Sequence, residues 1–186
     1  METATDYITT APRIEQERRG RIRTFTGRYV NPLQLHAGDI CIEDIGHHLS
    51  NICRYTGACP EFYSVAQHSV YVSTHMWTRY DSAEAGLAGL LHDAAEAYLN
   101  DIASPVKHSP QMEWYRECEK EAERLVFEVF GLDIDWMAKT KEFDDLLFQQ
   151  EAGTFWRNEH VFVALSPVEA KGMFMRRYRA LLEEMK

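Results

Sequence analysis

The stretch "LLHDAAEAYLND", residues 90–101, decides how the rest of the chain is interpreted. Two leucines end an apolar run, and His92 and Asp93 follow at once. An unpaired aspartate next to an apolar helix would be costly, so a cationic partner is favoured, and a metal ion is one candidate. Glu96 lies four residues after His92 and three after Asp93, which puts all three on one face of a continuous helix. This spacing leaves two alternatives open, a reaction site and a solvated acidic helix surface.

Length and composition indicate a single globular domain. The chain has 186 residues, of which 45% are hydrophobic and 26% are charged, and a chain of this size buries a substantial core. The formal net charge is -9, whereas nucleic-acid binders carry a basic surface, so we expect no nucleic-acid partner. A short arginine cluster is interpreted as solvated surface or an inter-subunit contact in preference to a polyanion site: Arg13, Arg18, Arg19, Arg21, Arg23 and Arg28.

Targeting signals and cysteine usage bear on the location of the protein. The polar N-terminal sequence lacks the apolar core of a signal peptide. No run of about 18 apolar residues is found, so we expect no membrane span. The four cysteines show no CxxC pairing, which predicts neither a disulfide framework nor a zinc ribbon. Together these features predict a cytoplasmic protein with reduced thiols.

Hydrophobic periodicity predicts a mostly α-helical chain with a short hairpin near its start. The segment "RIRTFTGRYVNP" alternates around Gly27, which is typical of a β-hairpin. Ser64 followed three residues later by Gln67 predicts a capping box, and Gly131 predicts a helix end. Helical patterns begin near Asp44 and then cover residues 64–80, 83–99, 112–131, 136–156 and 168–185.

Further metal-ligand candidates must come from elsewhere in the chain, because a divalent site needs several histidine nitrogens and carboxylate oxygens at one point. His68 lies among apolar residues in "SVAQHSV", so it faces inward or lines a cleft. Asp144 precedes Leu147 on one predicted helix, with Asp145 turned about 100° away. The other histidines considered are interpreted as surface residues or internally satisfied groups: His36, His47, His75, His108 and His160.

The order of three segments carries a family resemblance. "SVAQHSV", "LLHDAAEAYLNDIASPVK" and "KEFDDLLFQQE" together resemble the HD-domain phosphohydrolase superfamily, over roughly residues 44–152. The resemblance is to the small bacterial and phage branch, which contains 5′-deoxynucleotidases and deoxyadenosine triphosphate triphosphohydrolases. It implies an all-α helical domain over residues 44–186, with residues 1–43 as a lead-in and hairpin. It also implies one bound divalent metal ion and a homo-oligomer, either a dimer or a hexamer.

The resemblance assigns roles residue by residue. The implied metal ligands are His68, His92, Asp93 and Asp144. Asp145 is kept as the alternative to Asp144. The carboxylates implied to position the attacking water and to assist the leaving oxygen are Glu96 and Asp101. The implied substrate contacts are Arg54 for the phosphate, Tyr55 for the sugar or base, and Lys107 for added positive charge near the phosphate.

The implied activity is hydrolysis of the 5′ phosphoester bond of deoxynucleotides with Co²⁺, Mn²⁺, Zn²⁺ or Mg²⁺. Two reactions stay open: a 5′-deoxynucleotidase releases phosphate from a deoxynucleoside monophosphate, and a triphosphohydrolase releases intact triphosphate from a dNTP such as dATP. The alternative from a different class is a catalytically inactive protein that binds or senses nucleotides. Because both carboxylates and all the ligand positions are present, the enzyme is the favoured interpretation.

Overall fold

The computed structural model describes residues 20–157 and 163–186. Its described part is mostly α-helical with one short antiparallel hairpin, which confirms the predicted fold class. Strands β1 (Ile22–Arg23) and β2 (Tyr29–Val30) pair in the register Ile22 with Val30. Gly27 turns the hairpin with a φ of 90°, a left-handed conformation that glycine adopts without steric cost. The predicted lead-in before residue 20, Arg13, Arg18, Arg19 and His160 lie outside the described residues.

Each predicted helix has a counterpart in the structure. The helices are α1 (Ile42–Asn51), α2 (Val65–Tyr80), α3 (Ala83–Leu91), α4 (Glu96–Leu99), α5 (Ser104–Lys107), α6 (Glu113–Val129), α7 (Asp135–Trp156) and α8 (Pro167–Glu184). Single 3₁₀ turns cover Ala37–Asp39, Tyr55–Gly57 and Pro110–Met112. Within the described ranges, no helix combines the length and the apolar character needed to cross a bilayer.

The predicted capping box at the start of α2 is half right. The Gln67 backbone N–H donates to Ser64 Oγ at 3.2 Å, as an N-cap requires. The Gln67 side chain does not turn back to Ser64, however, because it is bonded elsewhere. Its amide donates to the Val163 carbonyl at 2.8 Å, and its oxygen accepts from the Leu165 N–H at 2.9 Å. Gln67 therefore ties the segment before α8 to α2.

Gly131 ends α6 as predicted. It has a φ of 66°, and its N–H donates to the Glu128 carbonyl at 3.1 Å. The Leu132 N–H donates back to the Phe127 carbonyl at 2.9 Å. These two bonds form a Schellman motif, in which a left-handed residue satisfies carbonyls that the helix leaves unpaired.

One predicted helix is broken. The pattern over residues 83–99 predicts a continuous helix, but α3 ends at Leu91 and α4 begins at Glu96. Between them the backbone bonds tighten to i→i+3 spacing: the Ala94 N–H donates to the Leu91 carbonyl and the Glu96 N–H to the Asp93 carbonyl, each at 3.0 Å. In 3₁₀ geometry residues i and i+3 eclipse each other. Asp93 and Glu96 therefore share one face although the α-helix is interrupted.

The helices packed against α3 position this break. Helix α2 packs closely on α3: a Cβ added at Gly89 would lie 3.0 Å from the Ser73 Cα. Helix α8 contacts α1, α2 and α3, and its fully buried Phe174 and Leu181 belong to the same core as Leu49 and Leu87. Helix α7 packs on α2 and contacts α3. The end of α3 thus lies between α2 and α7.

Candidate metal centre

Three elements bring the predicted metal ligands together. His68 comes from α2, His92 and Asp93 from the turn after α3, and Asp144 from α7. One donor atom each from His68, His92 and Asp93 lies within 4.8 Å of the other two, so this group could hold a metal ion. Asp144 adjoins it, with Oδ1 3.0 Å from His68 Nε2. The structure therefore groups three of the predicted ligands at one point and places Asp144 next to one of them.

Both imidazole rings present Nε2 to this point. His68 Nδ1 lies 2.6 Å from Glu151 Oε1, and His92 Nδ1 lies 2.8 Å from the Gly89 carbonyl. Because a carbonyl oxygen can only accept and an ionised carboxylate does the same, each Nδ1 carries the donated proton. In the neutral ring the Nε2 lone pair then remains for a ligand, the usual arrangement of metal-bound histidine.

The same Nε2 atoms face carboxylate oxygens without forming hydrogen bonds to them. His92 Nε2 lies 3.1 Å from Asp93 Oδ2, and His68 Nε2 lies 3.6 Å from that oxygen. Among the described residues, both Nε2 atoms are buried and lack a hydrogen-bond partner. Imidazole nitrogens and carboxylate oxygens that converge in a buried space call for a cation between them, either a proton or a metal ion. The donor set, two imidazoles and two carboxylates, suits a divalent transition metal or Mg²⁺.

Charges at the centre perturb its protonation. Burial lowers the pKa of His92, but Asp93, Asp144 and the Gly89 carbonyl together outweigh burial and raise it to about 9. Burial raises the pKa of Asp93, but His92, His68 and Arg54 together bring it well below the ordinary value. Burial likewise raises the pKa of Asp144, but the close contact with His68 and the nearby His92 together lower it overall. A bound cation would compete with the His92 proton, so metal affinity here should increase with pH.

Asp144 and Asp145 have different surroundings. Asp145 also lines the cleft, but it lies 3.4 Å from Lys141 Nζ, with both side chains more than half exposed. The Asp144 side chain is 35% exposed and contacts His68. The geometry therefore favours Asp144 as the last ligand, as the resemblance implies.

Glu151 is a residue that the sequence did not assign to the site. It is fully buried on α7, and one of its oxygens accepts from His68 Nδ1 and from the Tyr63 hydroxyl at 2.8 Å. The other oxygen accepts from Arg54 Nε at 3.3 Å and from the Tyr55 hydroxyl. Burial raises its pKa, but His68 and Arg54 lower it overall, so Glu151 is ionised. This one carboxylate contacts both the predicted metal-ligand histidine and the predicted phosphate-binding arginine, and so orients both side chains.

Arg54 lies among the carboxylates of the centre. Its guanidinium nitrogens lie 3.7 Å from Asp93 Oδ2 and 3.9 Å from Asp144 Oδ1, in addition to the contact with Glu151. Burial alone would lower its pKa, but these carboxylates raise it above the ordinary value. Arg54 therefore stays fully charged in a half-enclosed site, where it can bind an anion bidentately.

Tyr55 follows Arg54 in a strained turn. Tyr55 and Thr56 have φ values of 57° and 53°, which non-glycine residues seldom adopt. The Tyr55 ring packs against Phe148 and Trp156, with centroids 6.0 and 5.0 Å away. Phe148 is one turn after Asp144 on α7 and is 50% exposed. An aromatic wall therefore borders the metal centre.

Glu96 and Asp101 line the same cleft as Arg54, and burial raises the pKa of both. For Glu96 the pKa is well above its ordinary value, because Asp93 and Asp101 add to burial and exceed the opposing effects of Lys107 and Arg54. Glu96 Oε2 is buried and, within the described part of the chain, has no hydrogen-bond partner. The Asp101 pKa is raised by burial, partly offset by Arg54. Carboxyl groups with a raised pKa bind a proton more readily than exposed ones, and this property suits them to proton transfer.

Lys107 is held by a second carboxylate that the sequence did not single out. Its Nζ donates to Glu119 Oε1 at 2.7 Å and lies 4.0 Å from Glu96 Oε1. Burial lowers its pKa, but these contacts raise it overall. One turn along α6, burial together with Glu119 raises the pKa of Glu123 from 4.5 to about 7.

These side chains surround a cleft of about 580 Å³. The predicted residues that line it are Arg54, Tyr55, His92, Asp93, Glu96, Asp101, Lys107 and Asp144. His68 forms the buried base of the metal group behind them. His108 also borders the cleft, with its Nδ1 2.9 Å from the Ser104 carbonyl, which agrees with its interpretation as a satisfied surface histidine.

Comparison with known proteins identifies relatives but no activity. No family model matches the chain. The chain is 33% identical to the uncharacterized protein YfdR of Escherichia coli K12 over 177 residues, which span 87% of this chain and 96% of that protein. It is 39% identical to an uncharacterized protein of Rhodobacter capsulatus over 90 residues, which span 46% of this chain and 45% of that relative.

Proposed function

The chain belongs to the family of YfdR from Escherichia coli K12, and we propose that it is a metal-dependent phosphohydrolase of the HD-domain type. The proposed reaction is hydrolysis of the 5′ phosphoester bond of deoxynucleotides. One observation carries the proposal: two imidazole Nε2 atoms and the Asp93 carboxylate converge in a buried space without hydrogen bonds between them. Such a set is the donor arrangement of a divalent metal site.

The proposed ion is held by His68, His92, Asp93 and Asp144, and it is Co²⁺, Mn²⁺, Zn²⁺ or Mg²⁺. When bound, it supplies Lewis acidity, which lowers the pKa of a water molecule and neutralises phosphoryl charge. Glu151 fixes the His68 ring from behind through the 2.6 Å contact with Nδ1.

Two carboxyl groups handle protons in this proposal. Glu96 orients the attacking water and accepts its proton, since its raised pKa makes it a better base than an exposed glutamate. Asp101, whose pKa is also raised, donates or relays a proton to the 5′ oxygen as the phosphoester bond breaks. The two groups line the same cleft, so water and leaving group can lie between them.

In this proposal the substrate is bound by Arg54, Tyr55 and Phe148, which line the same cleft. Arg54 holds two non-bridging phosphate oxygens, because its planar fork matches them and Glu151 fixes its orientation. Tyr55 and the half-exposed Phe148 offer an apolar surface for the sugar or base.

The charge of the cleft favours a monophosphate over a triphosphate. Its lining contains more carboxylates than cations, and its arginine and two lysines, Arg54, Lys107 and Lys141, are each already paired with an acidic group. A phosphomonoester carries about two negative charges at neutral pH, and a triphosphate carries more. We therefore propose a 5′-deoxynucleotidase as the main activity and a dNTP triphosphohydrolase as the second candidate. A cytoplasmic location is part of the proposal and rests on the four free cysteines.

Turnover assays with purified protein test the proposal. Each dNMP and dNTP is incubated with Mn²⁺, Co²⁺, Zn²⁺ or Mg²⁺, and phosphate, triphosphate and deoxynucleoside are identified. We expect phosphate release from dNMPs, and we expect Asp93→Ala to abolish both turnover and metal binding. Intact triphosphate from dNTPs would identify the second candidate.

A matched control is Glu142→Gln, which alters an exposed carboxylate on α7 and should leave turnover unchanged. Full activity of Asp93→Ala would overturn the assignment. Nucleotide binding without turnover for any metal would instead support the inactive, nucleotide-sensing alternative.

A further inference from the structure

Two cysteines face each other across the loop that carries Arg54 and Tyr55. Cys53 Sγ and Cys59 Sγ are 3.6 Å apart, and a disulfide bond is about 2.05 Å long. An approach of roughly 1.5 Å by two short side chains would therefore join them. Both cysteines are partly exposed, so a small reagent can reach the pair.

The backbone around the pair fixes one cysteine and leaves the other on a turn. Cys53 forms an isolated antiparallel bridge with Ser64, and the Arg54 N–H donates to the Tyr63 carbonyl at 2.9 Å. Cys59 follows a turn in which Tyr55, Thr56 and Gly57 all have positive φ. Its thiol donates to the Arg54 carbonyl at 3.8 Å. The two sulfur atoms thus close a five-residue loop, residues 54–58.

The four cysteines are similarly exposed, and only the short distance between the sulfur atoms distinguishes Cys53 and Cys59 from the other two. All four cysteines are free and partly exposed. Cys41 donates to Glu43 Oε2 at 3.0 Å, and Cys118 lies on α6 beside a separate cleft that Pro32 and Leu125 also line. The distance between the two sulfur atoms therefore makes Cys53 and Cys59 the pair that is positioned to react together.

We propose that Cys53 and Cys59 form a redox-active dithiol that reacts with small-molecule disulfides such as oxidised glutathione. A cysteine thiolate attacks the reagent, forms a mixed disulfide and releases one small thiol. The second cysteine thiolate then attacks the protein sulfur of the mixed disulfide and releases the other small thiol. The protein dithiol is oxidised to an intramolecular disulfide, and one small disulfide is reduced to two thiols. The bond closes the loop that presents Arg54 and Tyr55.

Thiol mapping after exposure to oxidised glutathione tests the dithiol without any assay of activity. The protein is treated with the reagent, alkylated and digested with trypsin, which cleaves after Arg54 and so separates Cys53 from Cys59. Because Cys41 and Cys53 share the peptide of residues 29–54, fragmentation of the linked peptides identifies which of these two cysteines is bonded to Cys59. We expect the two peptides to remain linked by a disulfide that dithiothreitol breaks, with Cys41 and Cys118 alkylated. Alkylated Cys53 and Cys59 after prolonged treatment would overturn the proposal.

Single variants show whether the two thiols act as a pair. Cys53→Ser and Cys59→Ser should each stop at a stable mixed disulfide with glutathione on the remaining cysteine. Cys118→Ser is the matched control and should still form the linked peptides. An intramolecular disulfide between Cys59 and another cysteine in Cys53→Ser would contradict the assignment.

A second readout concerns the loop and rests on the proposed function. If Arg54 and Tyr55 bind the deoxynucleotide, oxidation should change the KM of the wild type by at least severalfold. It should leave unchanged the KM of the double variant Cys53→Ser/Cys59→Ser, which has neither thiol and forms neither the disulfide nor a mixed disulfide in this loop. An unchanged KM in fully cross-linked protein would refute the coupling to the loop. The linked peptides remain a separate result, so failure of the proposed activity does not affect the test of the dithiol.

Discussion

Glu151 connects the candidate metal centre to the loop that carries Arg54 and Tyr55 through a single buried carboxylate. One oxygen contacts His68 Nδ1 and Tyr63, and the other contacts Arg54 and Tyr55. Because the fully buried group satisfies several donors at once, its loss affects both the ligand ring and the anion site.

We predict that Glu151→Gln weakens metal binding by about 10–100-fold, the usual effect of losing an outer partner of a metal-bound histidine. The neutral amide no longer stabilises the proton on His68 Nδ1 as the carboxylate does. Titration of Mn²⁺ into metal-free protein, followed by calorimetry, measures the change. Glu142→Gln on the same helix serves as the control, and equal dissociation constants for both variants would refute the role of Glu151.

The adjacent aspartates of α7 offer a sharper test of the ligand set. We predict that Asp144→Asn lowers metal affinity by at least about tenfold, since a direct ligand should matter as much as an outer partner. Asp145→Asn should retain the metal, because its side chain faces Lys141 and solvent. Metal content after gel filtration compares the two variants, and the reverse ranking would show that Asp145 is the ligand.

The sequence predicts the residues that meet at the candidate metal site better than the residues that orient them. His92 and Asp93 are recognisable as a pair because they directly follow an apolar run. Glu151 is not recognisable as a site residue, since it contacts His68 only because α7 packs on α2. The available signal was its spacing of seven residues from Asp144, which puts both carboxylates on one helix face. Spacing does not tell whether that face is buried.

At the scale of elements, locally encoded features are predicted well and tertiary ones poorly. The Gly131 helix end follows from glycine's access to the left-handed region and is present. The break between α3 and α4 is not local, because "LLHDAAEAYL" has a strong helical pattern. Gln67 likewise bonds to a distant segment instead of completing its capping box. Contacts distant in sequence override propensity at both places.

Helix α6 contributes an acidic group whose titration affects stability. Burial, Glu119 and Asp93 raise the pKa of Glu123 from 4.5 to about 7. Between these two pH values the folded protein binds a proton that the unfolded chain releases. The contribution of Glu123 to the free energy of unfolding is therefore largest below pH 4.5 and is lost as pH rises through about 7.

We predict that Glu123→Gln is more stable than the wild type at pH 8 and similar to it at pH 4.5. A gain of roughly 1 kcal/mol raises the Tm of a protein of this size by about 2–4 °C. Calorimetry of chelator-treated protein at both pH values measures the difference and keeps metal charge out of the comparison. Glu121→Gln, at an exposed position of α6, is the control, and a gain at both pH values would contradict the assigned titration.

At the scale of the whole molecule, charge opposes the proposed substrate. The formal net charge is -9, and the cleft itself contains more carboxylates than cations. An anionic nucleotide is therefore repelled at long range and attracted only when it reaches Arg54 and the proposed ion. In the proposed function, the balance between long-range repulsion and short-range attraction discriminates between monophosphates and triphosphates, and this discrimination needs no contact with the base.

This balance predicts an unusual salt dependence. The Debye length shortens from about 30 Å at 0.01 M to about 10 Å at 0.1 M ionic strength, so salt screens the long-range repulsion more than the close contacts with Arg54. We predict that kcat/KM for a dNMP rises over this range, and that for a dNTP, where it is detectable, it rises more steeply. Steady-state kinetics in KCl and in tetramethylammonium chloride separate screening from specific ion effects. A kcat/KM that falls with both salts would show that long-range attraction dominates, and the preference for monophosphates would then need another cause.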